Sequence, residues 1–128
     1  MTSHQDLLII ASSNGENLKL AKRFVELAQD LNIDAELLDL TTLEIPLFNP
    51  RTKDKIVIPE ITKSLNNQLS SSDHWIICAP EYNGSIPPIL SNAIAWLSVQ
   101  GEDFRNLFNG RPIALASYSG GGCMELLL

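Results

Sequence analysis

Three stretches of the chain gather serine, asparagine and glycine and hold no lysine or arginine: S-S-N-G-E-N at 12–17, P-E-Y-N-G-S-I-P-P at 80–88 and S-Y-S-G-G-G at 117–122. Residues of these types offer hydroxyl and amide donors to a polar ligand. The first stretch stands where an amphipathic helix begins, and a helix start offers unpaired N–H groups and a partial positive charge. Ser12, Asn14 and Asn17 add hydroxyl and amide donors, which makes a site for a phosphate. Plain helix capping is the simpler explanation of that stretch taken alone. It is neither a Walker loop, since no G-K-[ST] follows, nor a G-x-G-x-x-G turn. In the second stretch three prolines and a glycine restrict the backbone, with Tyr82 and Asn83 at the tip. Exposed N–H groups beside an aromatic residue suit a planar heteroaromatic ligand, the amides meeting its ring oxygens and nitrogens. A proline-held turn with Tyr82 packed on a neighbouring loop fits the same residues.

These turns need elements to position them, and the hydrophobic pattern supplies strands and helices in alternation. Leu7 to Ala11 is a continuous aliphatic block with polar flanks, a strand buried on both faces. Leu18, Ala21, Phe24, Val25, Ala28 and Leu31 recur at helical spacing, with Lys19, Lys22, Arg23 and Glu26 opposite. Asn32 closes that helix, and 35–40 reads as a second strand. An irregular loop over 41–55 contains Pro46 and Pro50. Pro59 then suits the first turn of a helix striped by Ile61, Leu65 and Leu69. His74 to Ala79 is the third strand, 89–97 a helix, 98–110 irregular, and 113–116 the fourth strand. Residues 123–128 begin a helix that the chain does not finish.

The βαβαβαβ order with aliphatic strands predicts an α/β fold, a doubly wound parallel sheet with helices on both faces. In such sheets ligands bind at the carboxyl ends of strands, beside the point where strand order reverses. All three polar turns belong to that edge. The 128 residues suffice for one domain spanning 1–128. Nine Lys and Arg against fifteen Asp and Glu leave a net charge of −6, which disfavours nucleic acid. No apolar run approaches the ~20 residues of a membrane span, and no signal-peptide pattern opens the chain. Cys78 and Cys123 read as reduced thiols of a cytoplasmic protein, and two histidines make a zinc site or a His-based triad unexpected. A reactive role for Cys123 is weaker than that of a small residue in a tight turn. Trp75 and Trp96 read as core or interface residues.

The segment P-E-Y-N-G-S-I-P-P-I-L-S-N-A-I-A-W-L at 80–97 resembles the signature of the NADPH-dependent FMN reductase family, flavodoxin-like quinone, azo-dye and chromate reductases. L-D-L-T-T-L-E-I-P-L-F-N at 38–49 is similar to the family's stretch after its second strand, and the turn at 117–122 to its third flavin loop. The resemblance implies FMN held without a covalent bond at the carboxyl edge of the sheet. It places Ser12, Asn14, Glu16 and Asn17 around the phosphate, and Pro80, Glu81, Tyr82 and Asn83 along the isoalloxazine. Ser117 and Gly120 close the ribityl or ring side. It further implies hydride transfer from NADPH or NADH through FMN to a small acceptor, a quinone, azo compound, ferric or chromate species. No catalytic acid or base and no metal is called for. A homodimer or tetramer is expected from the family.

The chain departs from the family in two places. Its first loop is short and lacks the customary arginine, so it looks closer to the phosphate loop of flavodoxins. Glu16 there must point away from a phosphate. The C-terminal strand and helix of the fold are apparently missing after Leu128, which leaves the fourth strand at an edge. Two alternatives follow, an electron carrier without nicotinamide activity and a cofactor-free binding protein.

Overall fold

A computed structural model describes residues 5–51 and 57–120. The strands β1 (Gln5–Ala11), β2 (Ala35–Asp39), β3 (Ser72–Cys78) and β4 (Ile113–Ala116) alternate with the helices α1 (Glu16–Asp30), α2 (Glu60–Ser70) and α3 (Pro88–Leu97). All strand pairs are parallel, in the order β2-β1-β3-β4. The expected doubly wound sheet is therefore present. Strand β3 begins two residues earlier than its aliphatic block, because Ser72 still pairs with Gln5 of β1. The irregular stretches hold two short 3₁₀ turns, Leu40–Thr42 and Phe104–Leu107. The unfinished helix expected over 123–128, and Cys123 with it, lie outside the described residues.

Strand alternation divides the core into two layers. Leu8, Ile10, Leu38, Trp75 and Ala79 meet Leu65 and Leu69 of α2 and Leu90, Ala93 and Leu97 of α3 on one face. On the other, Ile9, Ala11 and Cys78 meet Ala21 of α1, with Leu18, Phe24 and Val25 packed around them. Both tryptophans are buried, and Trp75 Nε1 donates to the Leu69 carbonyl at 3.1 Å. Helix α1 stops at Asn32, whose φ of 58° lies in the left-handed region. The Ile33 N–H returns to the Ala28 carbonyl at 2.8 Å and the Asn32 N–H to Gln29 at 3.0 Å, satisfying carbonyls that the helix end would orphan. β4 is one of the two outer strands of the four described, the other being β2, and its Ile113 and Leu115 are exposed.

The parallel register sets the ends of the strands level. Ala11 stands beside Cys78, and Cys78 beside Ala116. The chain leaving β1 turns into α1 on one face, while the chain leaving β3 turns into α3 on the other. Strand order reverses between β1 and β3, and the three polar turns leave the sheet side by side at that edge.

Candidate functional site

Backbone and side-chain bonds stitch the three turns together before any ligand is considered. Both the N–H and the Oγ of Ser12 donate to the Cys78 carbonyl, each at 3.1 Å, and Ser12 is almost completely buried. The Ala79 N–H donates to the Ala116 carbonyl at 3.0 Å. Asn17 closes the set: its Nδ2 donates to the Tyr118 carbonyl at 3.0 Å, and its Oδ1 accepts from the Tyr118 N–H at 2.9 Å. Every turn is thus tied to at least one other across the strand ends.

The start of α1 is left open. Gly15 is its N-cap residue and no side chain caps the helix. A Cβ built on Gly15 meets nothing within 4 Å, and its φ of −103° needs no glycine. No side chain therefore caps the first-turn N–H groups of this helix at the carboxyl edge. Glu16 is exposed, and its carboxylate is drawn along the helix to Lys19 Nζ at 3.0 Å. Asn14 is exposed beside it, whereas Asn17 is buried. These placements fit an anion at the helix start. They also show that the Ser12 hydroxyl and the Asn17 carboxamide already bond to the chain itself.

The turn after β3 is a hairpin in miniature. Tyr82 N–H donates to the Ser85 carbonyl at 2.9 Å and Ser85 N–H returns the bond at 3.0 Å. Asn83 and Gly84 between them have φ of 52° and 74°, the pair of left-handed residues that a type I′ turn demands. Asn-Gly is the favoured sequence for that geometry, so the tip is a rigid feature. Pro80 and Glu81 are partly buried at its base, Tyr82 and Asn83 exposed at its tip. Pro87 and Pro88 then lead into α3 at its N-cap and first position.

On the β4 side, Ser117 is partly buried and Gly120 exposed, and a Cβ on Gly120 would meet nothing within 4 Å. Tyr118 between them is 59% exposed. Both tyrosines of the chain, Tyr82 and Tyr118, therefore stand at this edge. Beside them an apolar cleft of about 170 Å³ runs between α3 and β4, lined by Ile77, Ala79, Ile86, Leu90, Leu115 and Ala116 among others. Beneath the turns lies Cys78, whose thiol burial pushes up to about 11. A neutral thiol in that position is a packing group, not a nucleophile. Among the described residues no group of three or more His, Cys, Asp or Glu side chains could hold a metal ion.

The structure brings the ten residues singled out from the sequence to one edge. The sequence did not reveal the contribution of Tyr118 as Asn17's partner, because 101 positions separate the two. Nor did it reveal the Cys78 carbonyl as the anchor of Ser12.

Known proteins resemble this chain over most of its length, 73%, 90% and 95% of it in three cases. An NAD(P)H-dependent FMN reductase of Schizosaccharomyces pombe is 29% identical over 98 residues, covering 73% of this chain and 46% of that protein. An FMN-dependent NADPH-azoreductase of Staphylococcus aureus is 31% identical over 121 residues, 90% of this chain and 60% of its own length. Among solved structures, a flavoenzyme NAD(P)H:(acceptor) oxidoreductase from Paracoccus denitrificans superposes with a TM-score of 0.75 at 26% identity, over 95% of this chain and 66% of that one. The matched region thus spans between about half and two-thirds of each of these relatives. The sequence model of the NADPH-dependent FMN reductase family matches residues 6–127. With the parallel β2-β1-β3-β4 sheet and the three-turn edge in place, the chain belongs to the NADPH-dependent FMN reductase family.

Proposed function

We propose that this chain is an FMN-dependent oxidoreductase that takes hydride from NADPH or NADH and delivers electrons to a small acceptor of the quinone or azo class. The observation that carries this reading is the start of α1, without a side-chain cap and tied through Asn17 to the turn after β4. A helix start with a glycine N-cap and no capping side chain suits one terminal phosphate. Asn14 and the first-turn N–H groups of α1 would hold that phosphate, with Ser12 and Asn17 setting the turn's shape. Pro80, Glu81, Tyr82 and Asn83 would border the ring, and Ser117 and Gly120 would close the remaining side. FMN supplies the hydride chemistry when bound, while the protein supplies position and a fixed polar environment. No side chain is assigned a proton-transfer role.

The protein is read as a single cytoplasmic domain that works as a homodimer or tetramer. Support for association comes from Ile89 and Ile94, apolar and exposed on a helix that carries no charge. No helix among the described residues is long and apolar enough to cross a membrane. The short first loop without an arginine favours a second reading, a flavodoxin-like electron carrier.

The test is reconstitution with FMN followed by NADPH oxidation with a quinone and with an azo dye. A yellow, FMN-loaded protein that consumes NADPH faster with acceptor present is expected. FMN binding without nicotinamide oxidation would establish the carrier, and no flavin binding at all would overturn both readings.

A further inference from the structure

We propose that Asn17 is a positioning residue whose carboxamide locks the turn after β4 to the start of α1, so that the phosphate side and the ring side of the flavin site form one unit. The flavin reading above is its premise. The usual expectation for an asparagine at a helix start is that it meets the anion itself. Here both ends of the carboxamide face a single peptide residue. Nδ2 donates to the Tyr118 carbonyl at 3.0 Å while Oδ1 accepts from the Tyr118 N–H at 2.9 Å, and Asn17 is only 3% exposed.

The need for such a clamp follows from where β4 ends. Past Ala116 the chain leaves the strand, whose register with β3 ends at Cys78 beside Ala116. The N–H and C=O of Tyr118 would then depend on water. Asn17 continues the pairing one step beyond the strand, with a flat group that offers a donor and an acceptor together. Aspartate offers no donor, serine is too short to reach both atoms, and glutamine is longer by a methylene. The clamp therefore selects asparagine on its own geometry, whether or not a phosphate is near. Through Tyr118 it sets the position of Ser117 and Gly120, the residues that would close the ring side.

The two roles for Asn17 separate by comparing FMN with riboflavin, which lacks the phosphate. If Asn17 held the phosphate, Asn17→Ala would weaken FMN and leave riboflavin unchanged. A clamp predicts that both flavins lose affinity by a similar factor, about tenfold for two hydrogen bonds. The same variant should speed hydrogen exchange at the Tyr118 amide of the flavin-free protein, with the Cys78 amide in the sheet unaffected. Should Asn17→Ala fail to fold, Asn17→Asp keeps the volume, and a carboxylate is tolerated at a helix start. It sets an oxygen against the Tyr118 carbonyl and should cost riboflavin affinity as the alanine does. Loss confined to FMN in either variant, or wild-type exchange at Tyr118 in Asn17→Ala, would overturn the clamp. A wild-type protein that binds neither flavin would overturn the flavin reading and leave exchange at Tyr118 to decide the clamp.

Discussion

At Cys78 the carbonyl and the thiol have opposite surroundings. The carbonyl accepts two bonds from Ser12, while the thiol is buried among Ile9, Ala11 and Ala21. Burial lifts the thiol from 9.0 to about 11, so the folded protein keeps a proton that the unfolded chain releases near 9.0. Stability from this group is complete below pH 9.0 and falls as the pH climbs towards about 11. The loss is on the order of 2–3 kcal/mol. Urea denaturation of wild type and Cys78→Ala across that range checks it, since the variant should lack this slope. A second residue-scale prediction concerns charge at the turns. Asn83→Asp should weaken FMN binding by about 1–3 kcal/mol, more than Asn14→Asp does, because a carboxylate beside the ring meets its electron-rich edge. Aspartate tolerates the left-handed backbone at 83, so the turn survives and calorimetry reads charge alone. Equal, wild-type affinity in both variants would remove the 80–88 turn from the ring. The identities of the polar residues at this edge were legible in the sequence because Ser, Asn and Gly cluster there. Their partners were not: the bonds of Ser12 and Asn17 cross to other turns, and no spacing along the chain encodes those contacts.

Helices and strands were legible for a different reason, since each has a period that its buried face must keep. The stripe of Leu65 and Leu69 and the block Leu7 to Ala11 stand where the pattern put them. The loop after β2 had no period and read as irregular, yet it is firmly held. Asn92 of α3 donates to the Pro46 carbonyl at 3.0 Å and accepts from the Phe48 N–H at 2.8 Å. Trp96 Nε1 donates to the same carbonyl at 2.7 Å, and the Phe48 ring meets the Trp96 ring edge-on at 5.2 Å between centroids. An asparagine carboxamide again serves a backbone that has left its strand. Asn92→Ala should cost about 1–2 kcal/mol in chemical denaturation through the two lost bonds. It should also open 43–50 to limited proteolysis while the sheet stays protected. Resistance equal to wild type would mean that Trp96 alone holds the loop.

For the whole molecule the consequence of an open helix start is selectivity by size. If the start of α1 holds a single terminal phosphate, FMN should bind more tightly than FAD. At a hundredfold excess over its dissociation constant, FMN should stabilise the fold by about 2.7 kcal/mol. That corresponds to a rise in melting temperature of roughly 10 °C. A thermal shift for FAD equal to or larger than that for FMN would contradict it. Affinity should change little with salt, because the stretches 12–17, 80–88 and 117–120 contain no lysine or arginine. A steep salt dependence would instead mean that basic groups from elsewhere in the assembly reach the phosphate.

The turn at Asn83 and Gly84 also gives the protein an age. Asparagine followed by glycine is the pair most open to spontaneous loss of the side-chain amide, a reaction in which the glycine nitrogen closes onto the asparagine side chain. In this fold two cross-turn hydrogen bonds and a left-handed backbone restrain both partners. Conversion should therefore be slow while the turn is closed and faster whenever it opens. Each molecule that converts acquires, without any change in its gene, the negative charge that Asn83→Asp introduces by design. Old protein should bind FMN less well than new, and peptide mapping of stored samples with and without FMN would show the flavin slowing that decay.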